Sequence, residues 1–212
     1  MSDIIAGVAI PDTLAVREAT RLAEQTMAPA FVHHSRRVFL LGSLLARRRG
    51  LDPHPELLYL AAMFHDSGLL QPAGDEVQRF ELDGADHARR FLLEHGFTPD
   101  DADVVWVAVA LHTTPGIPDR MAPVIAATHL GVLSDAVGFG FEELTPGERR
   151  DITAAHPRDD FARRFLETLR QDLEARPGTA YGTVNADVLE RFVPELPREN
   201  MVDRVLNSPW TA

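Results

Sequence analysis

Four side chains, far apart in the chain, have the chemistry to hold one cation: His34, the adjacent pair His65-Asp66, and Asp135. Imidazole nitrogen combined with carboxylate oxygen suits Zn, Fe, Mn, Co or Ni without strong preference. The rest of the composition narrows the choice. There is no cysteine, which excludes disulfides, thiol nucleophiles, thiolate-bound zinc and iron–sulfur clusters. All 21 basic residues are arginine, which excludes Schiff-base chemistry, a P-loop lysine and a lysine general base. Any metal here must be bound by nitrogen and oxygen.

The elements that must position these groups follow from apolar spacing. Residues recur at three and four throughout, and no sustained alternation suggests strands, so the chain is expected to be all-α. A helix from Pro29 to about Arg49, closed by Gly50, puts His34, Val38, Leu41 and Leu45 on one apolar face. His33 shares a boundary stripe with Arg37, Leu40 and Leu44 instead. A helix from Glu56 to about Asp66, stopped near Gly68, aligns Leu57, Ala61 and His65, with Asp66 about 100° further round. A helix from Ala122 to about Val137 aligns Val124, Thr128, Gly131 and Asp135. A buried aspartate needs a cation, and no Lys exists and no Arg is near in sequence, so a metal is the simplest partner. Taken singly, each is commonly a satisfied core group; two inward His and two inward Asp on three apolar helices call for one explanation.

Further helices are expected from Asp12 (as cap) to Met27, from Asp83 (as cap, with Asp86 as a weak capping box) to Gly96, and from Asp100 to His112. Gln71 to Phe80 reads as a loop, and Asp159–Glu174 and Asn185–Phe192 as outer helices. His112 continues the inward face of Val105, Ala108 and Val109, and His87 is partly inward. His95 reads as a helix-end cap, and His54, His129 and His156 as structural or solvated. Glu81 reads as a solvated loop carboxylate, with an acid/base role as its alternative.

With 212 residues, 45% of them hydrophobic and 25% charged, the chain fits one sizeable domain. A formal charge of −11 without a basic stripe argues against nucleic-acid and anionic-membrane partners. The N-terminus has no basic n-region and its apolar stretch breaks at Pro11; the stretch Met121–Ser134 is too short to span a bilayer. A cytoplasmic protein with a small-molecule substrate is expected, with homo-oligomerisation left open.

In order and type, His34, His65-Asp66 and Asp135 resemble the H…HD…D signature of the HD superfamily, over roughly residues 31–139. The runs around His34, His65, Arg79-Phe80-Glu81, Leu111-His112-Thr113 and Thr179–Asn185 look like the cyanamide-hydratase-like branch. The resemblance implies a single all-α HD-type domain with peripheral helices at 1–30 and 140–212. It also implies a hydrolase or hydratase that uses metal-activated water on a small, nitrile-like or other nitrogen compound. Asp66 would then serve both metal and proton transfer, with His112 as the second candidate. One position departs from the phosphohydrolase pattern HDxGK: this chain reads His65-Asp66-Ser67-Gly68-Leu69. A nucleotide phosphohydrolase would need Arg79, Arg36 or Arg37 to replace that lysine. Dinuclear relatives use two intervening histidines, so His87 and His112, with Glu81 and Arg79 nearby in sequence, are candidates for a second metal or for substrate. A second iron would imply a diiron oxygenase. A non-catalytic, metal-stabilised interaction module is the remaining alternative.

Overall fold

The computed structural model describes residues 3–70 and 78–209. An antiparallel ribbon, β1 (Ile4–Ile5) and β2 (Val8–Ala9), opens the chain. The helices that follow are α1 (Leu14–Thr26), α2 (Pro29–Arg48), α3 (Pro55–Phe64), α4 (Ser67–Leu70), α5 (Phe80–Glu94) and α6 (Pro99–Ala110). After these come α7 (Pro123–Val137), α8 (Pro146–Ala155), α9 (Phe161–Ala175), α10 (Ala186–Phe192) and α11 (Met201–Leu206). The fold is all-α, as the spacing predicts; the small ribbon, α8 and α11 are additions to that expectation. Among the described residues, no helix is long and apolar enough to cross a membrane.

Helix starts follow local chemistry. α2, α3, α6, α7 and α8 each begin with proline, whose fixed φ suits the first turn and whose missing N–H is not needed there. Thr98 caps α6, and Thr145 with Glu148 forms a complete capping box on α8. Two expected caps are corrected. Thr13, not Asp12, caps α1 by accepting from the Val16 N–H, while Asp12 pairs with Arg17. α5 starts at Phe80, so Asp83 lies inside its first turn, buried against Arg176 and Gln78. The loop expected over 71–80 ends before Phe80; its residues 71–77 lie outside the described residues. Gly68 does not stop a helix. It sits in α4 where a Cβ would lie 2.1 Å from the Phe80 carbonyl oxygen, so only glycine lets α4 approach α5 this closely.

The centre of the molecule is the antiparallel crossing of α2 and α7. Their backbones meet through two glycines: a Cβ on Gly131 would sit 2.2 Å from the Val38 oxygen, and one on Gly42 would sit 2.5 Å from the Ala127 oxygen. One turn beyond this contact, His34 on α2 faces Asp135 on α7. α3 packs against α2, α6 and α7, α5 against α4 and α6, and α9 lies on α2. The ladder His34–Asp135, Val38–Gly131, Gly42–Ala127 thus fixes the register of the polar residues through the packing of small ones.

Filling that crossing should be costly, because no flexible side chain can yield. Gly131→Ala is expected to lose about 1–3 kcal/mol or more in urea denaturation, whereas Gly178→Ala, where an added Cβ meets nothing, should change little. Equal stability of both variants would contradict the close-crossing account.

Candidate metal centre

Three of the four expected ligands converge. His34, His65 and Asp66 offer donor atoms that all lie within 4.8 Å of one another, and all three residues are buried. His65, at the C-terminal end of α3, directs Nδ1–H to the Ala62 carbonyl at 2.8 Å. His34 directs Nδ1–H to Asp135 Oδ2 at 2.6 Å. With both Nδ1 atoms turned outward, the two Nε2 atoms face each other 3.0 Å apart. Asp66 Oδ2 lies 3.2 Å from His65 Nε2 and 3.6 Å from His34 Nε2, and this buried oxygen takes no hydrogen bond among the described residues. Two imidazole lone pairs and an unpartnered carboxylate oxygen need positive charge between them. Burial lowers the His65 pKa, but Asp66, the Ala62 carbonyl and Asp135 together outweigh it, so the pKa is raised. Burial dominates at His34 and lowers its pKa. Burial opposes ionisation of Asp66, yet the neighbouring His65 holds its carboxyl well below the usual range. The donor set fits a divalent transition metal.

Asp135 sits elsewhere. Its carboxylate lies on the Nδ1 side of His34, away from the Nε2 atoms, and is clasped by Arg37 through Nε and Nη2, both at 2.8 Å. Arg158 Nη1 donates to the same carboxylate. No arginine is near Asp135 in sequence, but the fold brings Arg37 to it: Arg37 is 1% exposed and spends its remaining Nη1 on the carbonyls of His156 and Pro157. Arg37 is not on a boundary stripe, because α2 is buried nearly all round. Burial raises the Asp135 pKa, but His34 and Arg37 more than reverse it. An Asp that holds a histidine by Nδ1 fixes its tautomer and strengthens Nε2 as a donor. Phe161 of α9 stacks on the His34 ring at 4.2 Å, completing its orientation.

Beside the cluster, His112 donates Nδ1–H to the Val109 carbonyl at 2.6 Å, and its Nε2 lies 3.8 Å from Asp66 Oδ1. Burial pushes its pKa down to about 4, so the ring is neutral at pH 7. Glu81 is not a solvated loop carboxylate. It is 1% exposed in α5 and bound by Arg79, Thr113 Oγ1 at 2.6 Å and Asn185 Nδ2 at 2.9 Å. Burial works against its ionisation, but Arg79 lowers its pKa overall. His87 does not join the cluster: its Nδ1 lies 3.2 Å from Ser67 Oγ, and the residue lines a separate cavity of about 210 Å³ with Met63, Phe91 and Arg90. Among the described residues, no second group of metal-binding side chains contains it.

Two histidines read as structural or solvated have defined buried places. His129 donates Nδ1–H to the His112 carbonyl at 2.8 Å, and its Nε2 is buried without a partner among the described residues. His156 meets His33 at 3.4 Å and is pushed down to about 4, by burial first and Arg36 next. His54 is exposed, and His95 closes α5 with Nδ1 on the Phe91 carbonyl and Nε2 on Glu18.

Removing Asp135 should leave Arg37 as a buried, uncompensated charge. Asp135→Ala is expected to cost about 3–5 kcal/mol in urea denaturation, and the double variant Arg37→Met/Asp135→Leu should recover most of it. A double variant as unstable as the single one would show that the charge pair is not the source of the loss.

Comparison with known proteins agrees with this architecture. The chain is 48% identical over 63 residues to the bifunctional uridylyltransferase/uridylyl-removing enzyme of Bordetella avium (strain 197N), a match covering 30% of this chain and 7% of that enzyme. It thus spans only a small part of that relative's length. The family model of the HD domain matches residues 31–172, reaching past the expected 31–139 to take in α8 and most of α9, the helix that carries Phe161. With His34 and the His65-Asp66 pair on converging helices, the chain belongs to the HD domain family, a superfamily of metal-dependent hydrolases.

Proposed function

We propose that the chain is one HD-type domain that adds water to, or hydrolyses, a small uncharged molecule, with nitrile-like nitrogen compounds as the leading substrate class. The observation that carries this reading is the pairing of the arginines around the cluster. Arg37 and Arg158 are held by Asp135, Arg79 by Glu81, Arg176 by Asp83 and Arg36 by Glu24. The lysine of HDxGK is replaced by Leu69, and Arg36, Arg37 and Arg79, its candidate substitutes, are all engaged. A substrate with several negative charges would have to compete with buried carboxylates for Arg37, Arg79 and Arg176, and with Glu24 for Arg36. Phe80 on His112 and Phe161 on His34 add apolar walls.

His34, His65 and Asp66 would hold the metal, and Asp135 would act through His34. A bound divalent metal would supply a water of lowered pKa and a positive charge beside the substrate. Asp66 divides its two oxygens: Oδ2 faces the His34 and His65 nitrogens, while Oδ1 faces His112. This carboxylate can therefore hold a ligand on one side and take or orient a water proton on the other. His112, neutral and tethered through Nδ1, presents Nε2 as an acceptor across a 3.8 Å gap to Asp66, too long for a direct hydrogen bond and suited to a shared water or substrate N–H. Glu81, held by Arg79, Thr113 and Asn185, positions the His112–Thr113 turn and does not exchange protons.

The second reading is a nucleotide-directed phosphohydrolase, favoured by the local identity to a uridylyl-removing enzyme. Purified, untagged protein should bind one equivalent of transition metal and turn over cyanamide or a small nitrile, with negligible action on nucleotides and uridylylated protein. Efficient uridylyl removal or nucleotide hydrolysis would put the second reading first, and two equivalents of iron with O₂ uptake would favour the oxygenase. Full-length protein that binds metal but is inert across the panel would favour the interaction module.

The ligand assignment is tested by metal content. His65→Ala and Asp66→Ala should lose bound metal and turnover while retaining helical circular dichroism. Asp135→Asn should still bind metal, with affinity reduced about 10–100-fold. Complete loss in Asp135→Asn, matching that of Asp66→Ala, would make Asp135 a ligand after all.

A further inference from the structure

We infer that the protein has a second small-ligand site, for a short-chain carboxylate, on the side of Asp135 away from His34. A cavity of about 90 Å³ lies between α2, the C-terminal end of α7, and α8, and none of His34, His65 or Asp66 lines it. Its floor is apolar: Leu41, Leu144 and Ile152, all buried. Its polar edge is cationic. Arg37, Arg149 and Arg158 face a single carboxylate, Asp135, already neutralised by Arg37. In a chain of net charge −11, that local excess of arginine is unusual.

Two of these arginines have donors to spare. The Arg149 guanidinium has no hydrogen bond or carboxylate partner among the described residues; it lies 4.1 Å from the centre of the Phe141 ring, which holds the planar group in place. Arg158 uses only Nη1, on Asp135, leaving its other nitrogens open, and its side chain is 42% exposed at the cavity mouth. Ser134, at the same edge, adds a hydroxyl. Planar guanidinium forks match a carboxylate, which they bind through paired N–H···O bonds.

Shape then selects the rest of the ligand. A 90 Å³ cavity has room for about three waters at about 30 Å³ each, which is the scale of propionate. A tetrahedral oxyanion such as phosphate would turn oxygens toward Leu41, Leu144 and Ile152 and lose hydration there without replacement. A short carboxylate instead sets its charge at Arg149 and Arg158 and its alkyl end on the apolar floor.

The test is calorimetric titration of the full chain in phosphate-free buffer with propionate, and separately with 1-propanol and inorganic phosphate. Propionate is expected to bind saturably at one site, at least tenfold more tightly than either comparator. Arg149→Ala should weaken it at least tenfold, and Thr153→Trp, which places a large ring at the exposed rim, should block it. Neither residue touches the candidate metal centre, so both variants should keep the wild-type thermal midpoint and metal content. Absence of saturation overturns the proposal, as does binding undiminished in both variants. Phosphate bound as tightly as propionate overturns the assignment of ligand class.

Discussion

A guanidinium and a carboxylate, both withdrawn from water between α2 and α7, set the conditions that the rest of the molecule meets. Burying such a pair is favourable only if every remaining lone pair and proton finds a partner. Asp135 is met by His34, by two nitrogens of Arg37 and by Arg158; Arg37 turns its remaining arm to the carbonyls of His156 and Pro157. The segment after α8 is thereby tied to the core, and α9 begins immediately beyond it, with Phe161 on the His34 ring. One ion pair therefore orients a histidine, anchors a connection and seats a helix. The candidate metal centre inherits its rigidity from groups that need not touch the metal.

Much of this was legible in the chain. Helical spacing put His34 and His65 on inward faces, and adjacency put Asp66 beside His65, because a buried helix displays its contacts as periodicity. Asp135 was correctly read as buried, but its partner was not. Arg37 sits on the same helix as His34, and the two meet Asp135 only because α2 and α7 cross antiparallel at close range; sequence distance conceals this. Arg158 arrives from a connection with no periodicity at all. Glu81 was misread for the same reason: Arg79, Thr113 and Asn185 converge on it from three separate stretches. The runs around Thr113 and Asn185 stand out in the sequence, and a buried acceptor shared between them is the physical signal they carry. His129 and His156 take the structural side of their reading, but their partners were not legible, because a histidine whose Nδ1 meets a carbonyl or a second ring leaves no pattern along its own helix.

The absence of lysine now has a structural counterpart. Arg37 and Arg79 each serve as a planar fork on a buried carboxylate, a task a flexible ammonium performs poorly. The acidic excess of the chain is carried mainly by its exterior; among the described buried residues, Asp66, Glu81, Asp83 and Asp135 share the interior with Arg37 and Arg176. A polar interior of this kind favours specificity of arrangement over raw stability, since an apolar replacement of the same volume could be as stable.

The glycine crossing of α2 and α7 also bears on motion. Helices separated by side chains can slide or tilt as those side chains change rotamer, but Gly42 and Gly131 bring peptide groups into direct contact, leaving nothing to rearrange. Breathing of the bundle at this seam is therefore suppressed, and the His34–Asp135 contact cannot lengthen by small helical shear. Access to the buried centre must be gained elsewhere. Among the helices around it, α9 lays Phe161 on the His34 ring and packs against α2, α4 and α10. The close-packed pair is the fixed frame on which the outer helices are set.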